Sequence, residues 1–156
     1  MIHVTIPGFG DCRLEELVLD YNGTLAIDGR LIPGVREKMG ILAKSLNIHV
    51  LTADTFGSAA EELRDLSCKL TVIPTESQDI AKQDYVNALG AEKCVSIGNG
   101  RNDGKMLRAA ALGIAVIQKE GASSETIHNA GIVCVSIIDA FELLENPKRL
   151  TATLRC

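Results

Sequence analysis

A carboxylate, a hydroxyl, a lysine and a glycine-rich turn suffice to move a phosphoryl group, and this chain sets such residues beside short apolar runs. Asp20 ends the run Leu14–Leu19 and leads into Tyr21-Asn22-Gly23-Thr24. Thr52-Ala53-Asp54 ends the run Ile48–Leu51, and Gly98-Asn99-Gly100-Arg101-Asn102-Asp103 ends the run Cys94–Ile97. An Asp can attack phosphorus directly and divide one difficult displacement into two easier ones through an aspartyl-phosphate. Phosphate and carboxylate are both anionic, so a cation must hold them together. Mg²⁺ takes hard oxygen ligands and needs only one or two carboxylates from the protein. A Thr hydroxyl and backbone N–H groups at a turn can grip the remaining phosphate oxygens, while a Lys balances charge on the transferring group.

The elements that must position these groups follow from periodicity. Ile2, Val4 and Ile6 alternate as a strand, Pro7-Gly8-Phe9-Gly10 reads as a turn, and the spacing predicts a hairpin with the run from Leu14 to Leu19. After Pro33-Gly34, the positions Val35, Met39, Leu42 and Leu46 fall on one helical stripe. Strands are expected at 48–51, 70–73, 94–97, 113–117 and 132–135, alternating with helices at 56–66, 80–89, 103–111, 123–130 and 139–144. Gly90 stops one helix, and Asp28-Gly29 reads as a turn. This alternation predicts an α/β fold: a doubly wound parallel sheet with helices on both faces, preceded by an N-terminal β-hairpin. Ligands of such sheets sit beyond the carboxyl ends of the strands, where the three clusters fall.

Four segments, VLDYNGTLA, VLTAD, KQDYVNAL and IGNGRNDGKML, resemble in order the motifs of the haloacid-dehalogenase (HAD) superfamily, and within it the catalytic domain of P-type ATPases. The resemblance extends from about Leu14 to Ile117 and implies a Rossmann-like core with Mg²⁺ as cofactor. It implies Asp20 as nucleophile, Asn22 two positions on, Thr52 as the phosphate-binding hydroxyl and Lys82 as the motif lysine, all four in catalysis. Gly23, Thr52, Ala53 and Lys82 would bind phosphate, and Asp20, Asn22, Asn99 and Asp103 would hold the metal.

Two positions depart from the pattern. Phosphatases of this superfamily carry an Asp, as general acid and base, where this chain has Asn22. An amide cannot transfer a proton at ordinary pH, and acid–base help contributes about 10²–10⁴-fold in rate. The enzyme is therefore expected to be slow or to favour good leaving groups such as acyl phosphates and nucleotide anhydrides, while the Asn22 backbone carbonyl can still face Mg²⁺. P-type ATPases also lack this Asp, which implies a slowly hydrolysing phosphoenzyme. Asn99 stands where the fourth motif has its first Asp, which weakens the metal site. Each Asn also has a plain reading as a turn former beside glycine. Lys82 could be a solvated helix lysine, and Thr52 a helix cap. Arg101 and Lys105 are open to substrate contact or to solvation, and His49, inside an apolar strand, reads as a satisfied core residue.

Size and composition bound the rest. The 156 residues are expected to form one domain, 1–156, with 46% hydrophobic residues sufficient for a core. Only 27 residues (25–51) separate Thr24 from Thr52, and 29 (53–81) separate Thr52 from Lys82, which leaves no room for a cap domain. A capless site suggests a homo-oligomer or a phosphoprotein substrate; the other candidate substrates are a small phosphorylated metabolite or a nucleotide. A net charge of −4, with aromatics at 3%, argues against nucleic-acid binding. Five scattered cysteines without a CxxC pair suggest neither zinc nor disulfides. No basic leader, signal core or roughly 20-residue apolar run is present, so no membrane partner and a cytoplasmic location are expected. Two functions compete: a Mg²⁺-dependent phosphohydrolase, and an attenuated phosphate-ligand sensor or regulatory protein that keeps the fold.

Overall fold

The computed structural model describes residues 1–53 and 57–156. Asp54 of the second motif and Phe56, the expected start of a helix, lie outside the described residues.

Six parallel strands form the central sheet. They are β3 (Glu16–Asp20), β6 (Asn47–Thr52), β7 (Lys69–Val72), β8 (Cys94–Gly98), β9 (Leu112–Val116) and β10 (Ile132–Cys134), arranged in the order β10-β9-β8-β3-β6-β7. The chain runs outward from β3 through β6 to β7, then returns to β8 on the other side of β3. The topological switch therefore lies between β3 and β8, and a crevice opens there at the carboxyl ends of such sheets. Central strands of a doubly covered sheet read as unbroken apolar runs, and every residue of β3, β8 and β9 is buried.

The N-terminal hairpin exists, but its second strand differs from the sequence expectation. β1 (Ile2–Ile6) pairs with β2 (Gly10–Leu14), antiparallel, and not with the run that ends at Leu19. Burial explains the difference. Cys12 and Leu14 alternate inward with exposed neighbours along β2, as suits a half-covered hairpin, whereas Leu17-Val18-Leu19 is covered on both faces. A second small hairpin joins β4 (Ala26–Ile27) to β5 (Arg30–Leu31). Asp28 (φ 51°) and Gly29 (φ 78°) form its two-residue turn, both left-handed, as the tight Asp-Gly hairpin turn requires.

Side chains of β3 divide between two cores. Leu17 and Leu19 pack with α1 (Val35–Leu42) and α6 (Ile137–Glu145) through Val35, Met39, Leu42, Ile137, Phe141 and Leu144. Val18 packs on the opposite face with Leu51, Val86, Cys94 and Met106, beneath α3 (Gln78–Leu89) and α4 (Gly104–Ala109). Shorter helices α2 (Ser58–Leu63) and α5 (Ser124–Asn129), and a final helix α7 (Pro147–Leu154) whose Leu150 joins the first core, complete the fold. No described helix is long and apolar enough to cross a membrane. Between Thr24 and Thr52 the chain holds only the β4–β5 hairpin, α1 and β6, and no cap domain occurs among the described residues.

Candidate active site

Asp20 is the last residue of the central strand and 7% exposed. Lys82 reaches it from α3. That helix turns only Lys82 and Val86, one turn apart, fully inward, so the lysine stem extends along the core face while its ammonium enters the site. Lys82 Nζ donates to Asp20 Oδ1 and to Asp103 Oδ1, each at 2.6 Å. Lys82 is 1% exposed and Asp103 fully buried.

Two carboxylates and one ammonium thus share a dry site 62 and 21 residues apart along the chain. Burial alone would depress the Lys82 ammonium, but the Asp20 and Asp103 carboxylates outweigh it and hold the group above its ordinary range. Burial, and then the Asp20 charge, push the Asp103 carboxyl up to about 6 against the opposing pull of Lys82.

Asp103 is held on its other side as well. Its Oδ2 accepts from the backbone N–H of Asn99 (2.9 Å) and of Gly100 (2.8 Å), so the carboxylate closes the turn after β8. Gly98 is required beneath it, because a Cβ there would lie 2.5 Å from Asp103 Cγ. Oδ2 is thus filled by two backbone donors, while Oδ1, which accepts only from Lys82, keeps a lone pair that can face a cation.

The other metal candidates meet at Thr24. Its Oγ1 donates to Asp20 Oδ2 at 3.0 Å and lies 3.2 Å from Asn99 Oδ1, while Asn99 Nδ2 donates to the Gly121 carbonyl at 3.0 Å. Gly23, at φ +79°, packs so closely on Asn99 that a Cβ would lie 2.5 Å from its amide nitrogen. Asp20 Oδ2 and Asn99 Oδ1 thus converge as hard oxygens, one of them anionic, and the chain at Asn22 runs directly into this loop. Such a donor set fits Mg²⁺ held by a single carboxylate, with phosphate and water completing the shell. Thr52 is buried at the end of β6, in register beside Asp20's neighbour Leu51, and Ala53 is half-buried next to it. The Asn22 side chain is exposed.

Sequence reasoning missed two contributors. Thr24 belongs to the first motif, and its hydroxyl could have been singled out there. Gln118 had no such signal. It lies just past β9, where its Nε2 donates to the carbonyls of Gly23 (3.0 Å) and Thr24 (2.9 Å) and its Oε1 accepts from the Ile137 N–H (2.8 Å). All of its polar atoms are spent in clamping the loop after Asp20. His49 is a satisfied core residue, as expected, bonded to Glu16 (2.8 Å) and Tyr85 (3.0 Å) at a distance from these groups.

No family model matches the chain. It is 47% identical over 83 residues to the uncharacterized protein MJ0073 of Methanocaldococcus jannaschii, an alignment spanning 51% of this chain and 89% of that protein. It is 46% identical over 39 residues to MJ0072 of the same organism, spanning 25% and 89%. Among solved structures, the cobalt-bound deoxy-D-mannose-octulosonate 8-phosphate phosphatase of Haemophilus influenzae superposes with a TM-score of 0.72 at 14% identity, covering 92% of this chain and 94% of that one. The 3-deoxy-D-manno-octulosonate 8-phosphate phosphatase of Moraxella catarrhalis, solved with magnesium and phosphate ions, gives 0.65 at 18% identity over 91% and 94%. An apo phosphoserine phosphatase gives 0.68 at 13% identity over 86% and 99%. The fold is that of the HAD hydrolases.

Proposed function

This chain belongs to the family of MJ0073 and has the haloacid-dehalogenase fold, and from that premise we propose that it is a Mg²⁺-dependent phosphohydrolase acting through an aspartyl-phosphate on Asp20. The observation that carries this reading is the buried Asp20–Lys82–Asp103 triad at the topological switch point. Asp20, Asn99 and Asp103, with the Asn22 carbonyl, would hold Mg²⁺, which when bound would offset the charge between phosphate and carboxylate.

The chain's own groups do the rest. Lys82 and Thr24 fix the two Asp20 oxygens separately, which orients the carboxylate before a phosphate arrives. The Lys82 ammonium then balances charge on the transferring group, and Asp103 keeps that ammonium in place. Thr52, with the backbone of Ala53, supplies the phosphate grip; Gly23, expected to share it, instead donates its N–H to the Ala26 carbonyl at 2.8 Å and accepts from Gln118. Attack by Asp20 expels the leaving group, and water later cleaves the aspartyl-phosphate. With Asn22 in place of a proton-transfer residue, that second step is slow, as the motif likeness to P-type ATPase domains implies.

The test is phosphate release from p-nitrophenyl phosphate with and without Mg²⁺, for wild type and Asp20→Asn, together with acid-quench trapping of the phosphoenzyme. Turnover that requires both Mg²⁺ and Asp20 is expected; absence of turnover and of phosphoenzyme on every activated phosphate refutes the proposal. Asn22 and Asn99 favour one second reading, a phosphate-ligand sensor. Its signature is Mg²⁺-assisted phosphate binding by calorimetry without turnover.

A further inference from the structure

A cavity of about 530 Å³, within the range of small-molecule pockets, is lined by residues of the helix that carries Lys82 and of the turn that leads into Asp103. Its wall includes Gln78, one helical turn before Lys82, and Asn102, directly before Asp103; Asn102 Nδ2 donates to Gln78 Oε1 at 2.6 Å. Two ion pairs flank these amides, Arg101–Glu125 at 2.9 Å and Lys105–Asp79 at 2.8 Å. All four charged residues line the cavity. Surface pairs of this kind contribute little, so an arriving carboxylate can replace Glu125 or Asp79 as the partner of a cation. Among the described residues, no aromatic ring lines the cavity to stack a nucleobase.

The second observation is chemical. Asn22 cannot protonate a departing oxygen, and the two carboxylates in the cavity stand as acceptors opposite Arg101 and Lys105, not as acids. A leaving group must therefore depart as a stable anion. A carboxylate does so easily, its conjugate acid having a pKa of about 4, whereas an alkoxide resembles hydroxide, with a value for water of about 15.7.

Resting on the phosphohydrolase reading, we infer that the substrate is an acyl phosphate of a small polar carboxylic acid, whose carboxylate departs into the cavity beside Arg101 and Lys105. An Asp20 oxygen bonds to phosphorus as the P–O bond to the acyl group breaks. The electron pair of that bond leaves on the acyl oxygen as carboxylate, with no proton required. Water then attacks phosphorus, the Asp20 carboxylate is restored, inorganic phosphate departs and one proton passes to solvent. The first step exchanges one carboxylate for another at phosphorus, so donor and phosphoenzyme belong to the same chemical class.

The experiment measures kcat/KM in Mg²⁺ for acetyl phosphate, glycerol 3-phosphate, ATP and p-nitrophenyl phosphate. Enzymes compared are wild type, Asn22→Asp and the double variant Arg101→Gln/Lys105→Gln. Acetyl phosphate is expected to exceed glycerol 3-phosphate by about 10³-fold, and Asn22→Asp to compress that ratio by about tenfold or more. Acetyl phosphate should also exceed ATP by about tenfold, and the double variant should lose about tenfold on acetyl phosphate. Asp20-dependent turnover of p-nitrophenyl phosphate with acetyl phosphate no better than glycerol 3-phosphate or ATP, an unchanged ratio in Asn22→Asp, or an unaffected double variant overturns this inference alone. Failure on all four substrates overturns the phosphohydrolase reading and this inference with it.

Discussion

Replacing Lys82 by Met keeps a long unbranched stem in the core and removes the ammonium. Its Nζ is 2.6 Å from each of two carboxylate oxygens, with Lys82 and Asp103 essentially excluded from water. The substitution leaves Asp20 with its Thr24 bond and some exposure, but strands the buried Asp103 carboxylate, which must stay unpaired or take up a proton. Breaking a buried pair from one side costs about 3–5 kcal/mol. For a chain of this size each kcal/mol shifts Tm by about 2–4 °C, so a fall of about 6–20 °C is expected. That cost falls on the stranded carboxylate. Asp103→Asn keeps an oxygen to accept from the Asn99 and Gly100 amides and removes the charge. Added to Lys82→Met it should therefore restore stability, giving a coupling energy of about 2 kcal/mol or more by double-mutant cycle. Urea unfolding near neutral pH with a chelator, so that no cation replaces the ammonium, measures all four proteins. Costs that add to within about 0.5 kcal/mol would refute the account.

Three further outcomes are expected. Burial alone would push the Glu16 carboxyl up, but hydrogen bonds from His49 and Asn47 hold it below its ordinary 4.5. A carboxyl lowered by folding contributes stability that is present above its unfolded value and lost as pH falls through the folded one. Glu16→Gln should thus flatten the decline in urea midpoint below about pH 4.5, and an unchanged acid limb would count against the network. Burial pushes the Cys94 and Cys134 thiols up to about 11, so iodoacetamide at neutral pH should label exposed Cys156 first; early modification of Cys94, read by peptide mass, contradicts this. Gly23→Ala must force a side chain at φ +79° against Asn99. It should lower phosphatase kcat by about 10²-fold while costing about 1–3 kcal/mol in stability, and a fully active variant would show that the loop's closeness to Asn99 is unimportant.

The strands were legible where burial leaves a plain mark. Leu17-Val18-Leu19 and the run 113–117 read as strands, and the structure covers the first on both faces and places the second at Leu112–Val116, fully buried. The hairpin partner was not, since Cys12 and Leu14 differ from the following run only in how their neighbours are solvated. No element was expected after 144, yet α7 follows and seats Leu150 in the core. Residue types and spacing brought Asp20, Lys82, Asn99 and Asp103 to one place. They could not say which carboxylate oxygens would be spent on which donors, and that distribution is what separates Asp103, bracing Lys82, from Asp20 and Asn99, facing Thr24. Gln118 was invisible because its role arises entirely from contacts 19, 94 and 95 residues away.

Those separations bear on how the molecule is made. The Asp20 loop appears early during synthesis, but Lys82 follows 62 residues later, Asn99 reaches Thr24 across 75, and Gln118 closes on Gly23 only after 95. Until the segment carrying Gln118 and Ile137 emerges and docks, a growing chain has the Asp20 loop without its clamp. The arrangement around Asp20 is therefore completed only by the last third of the polypeptide.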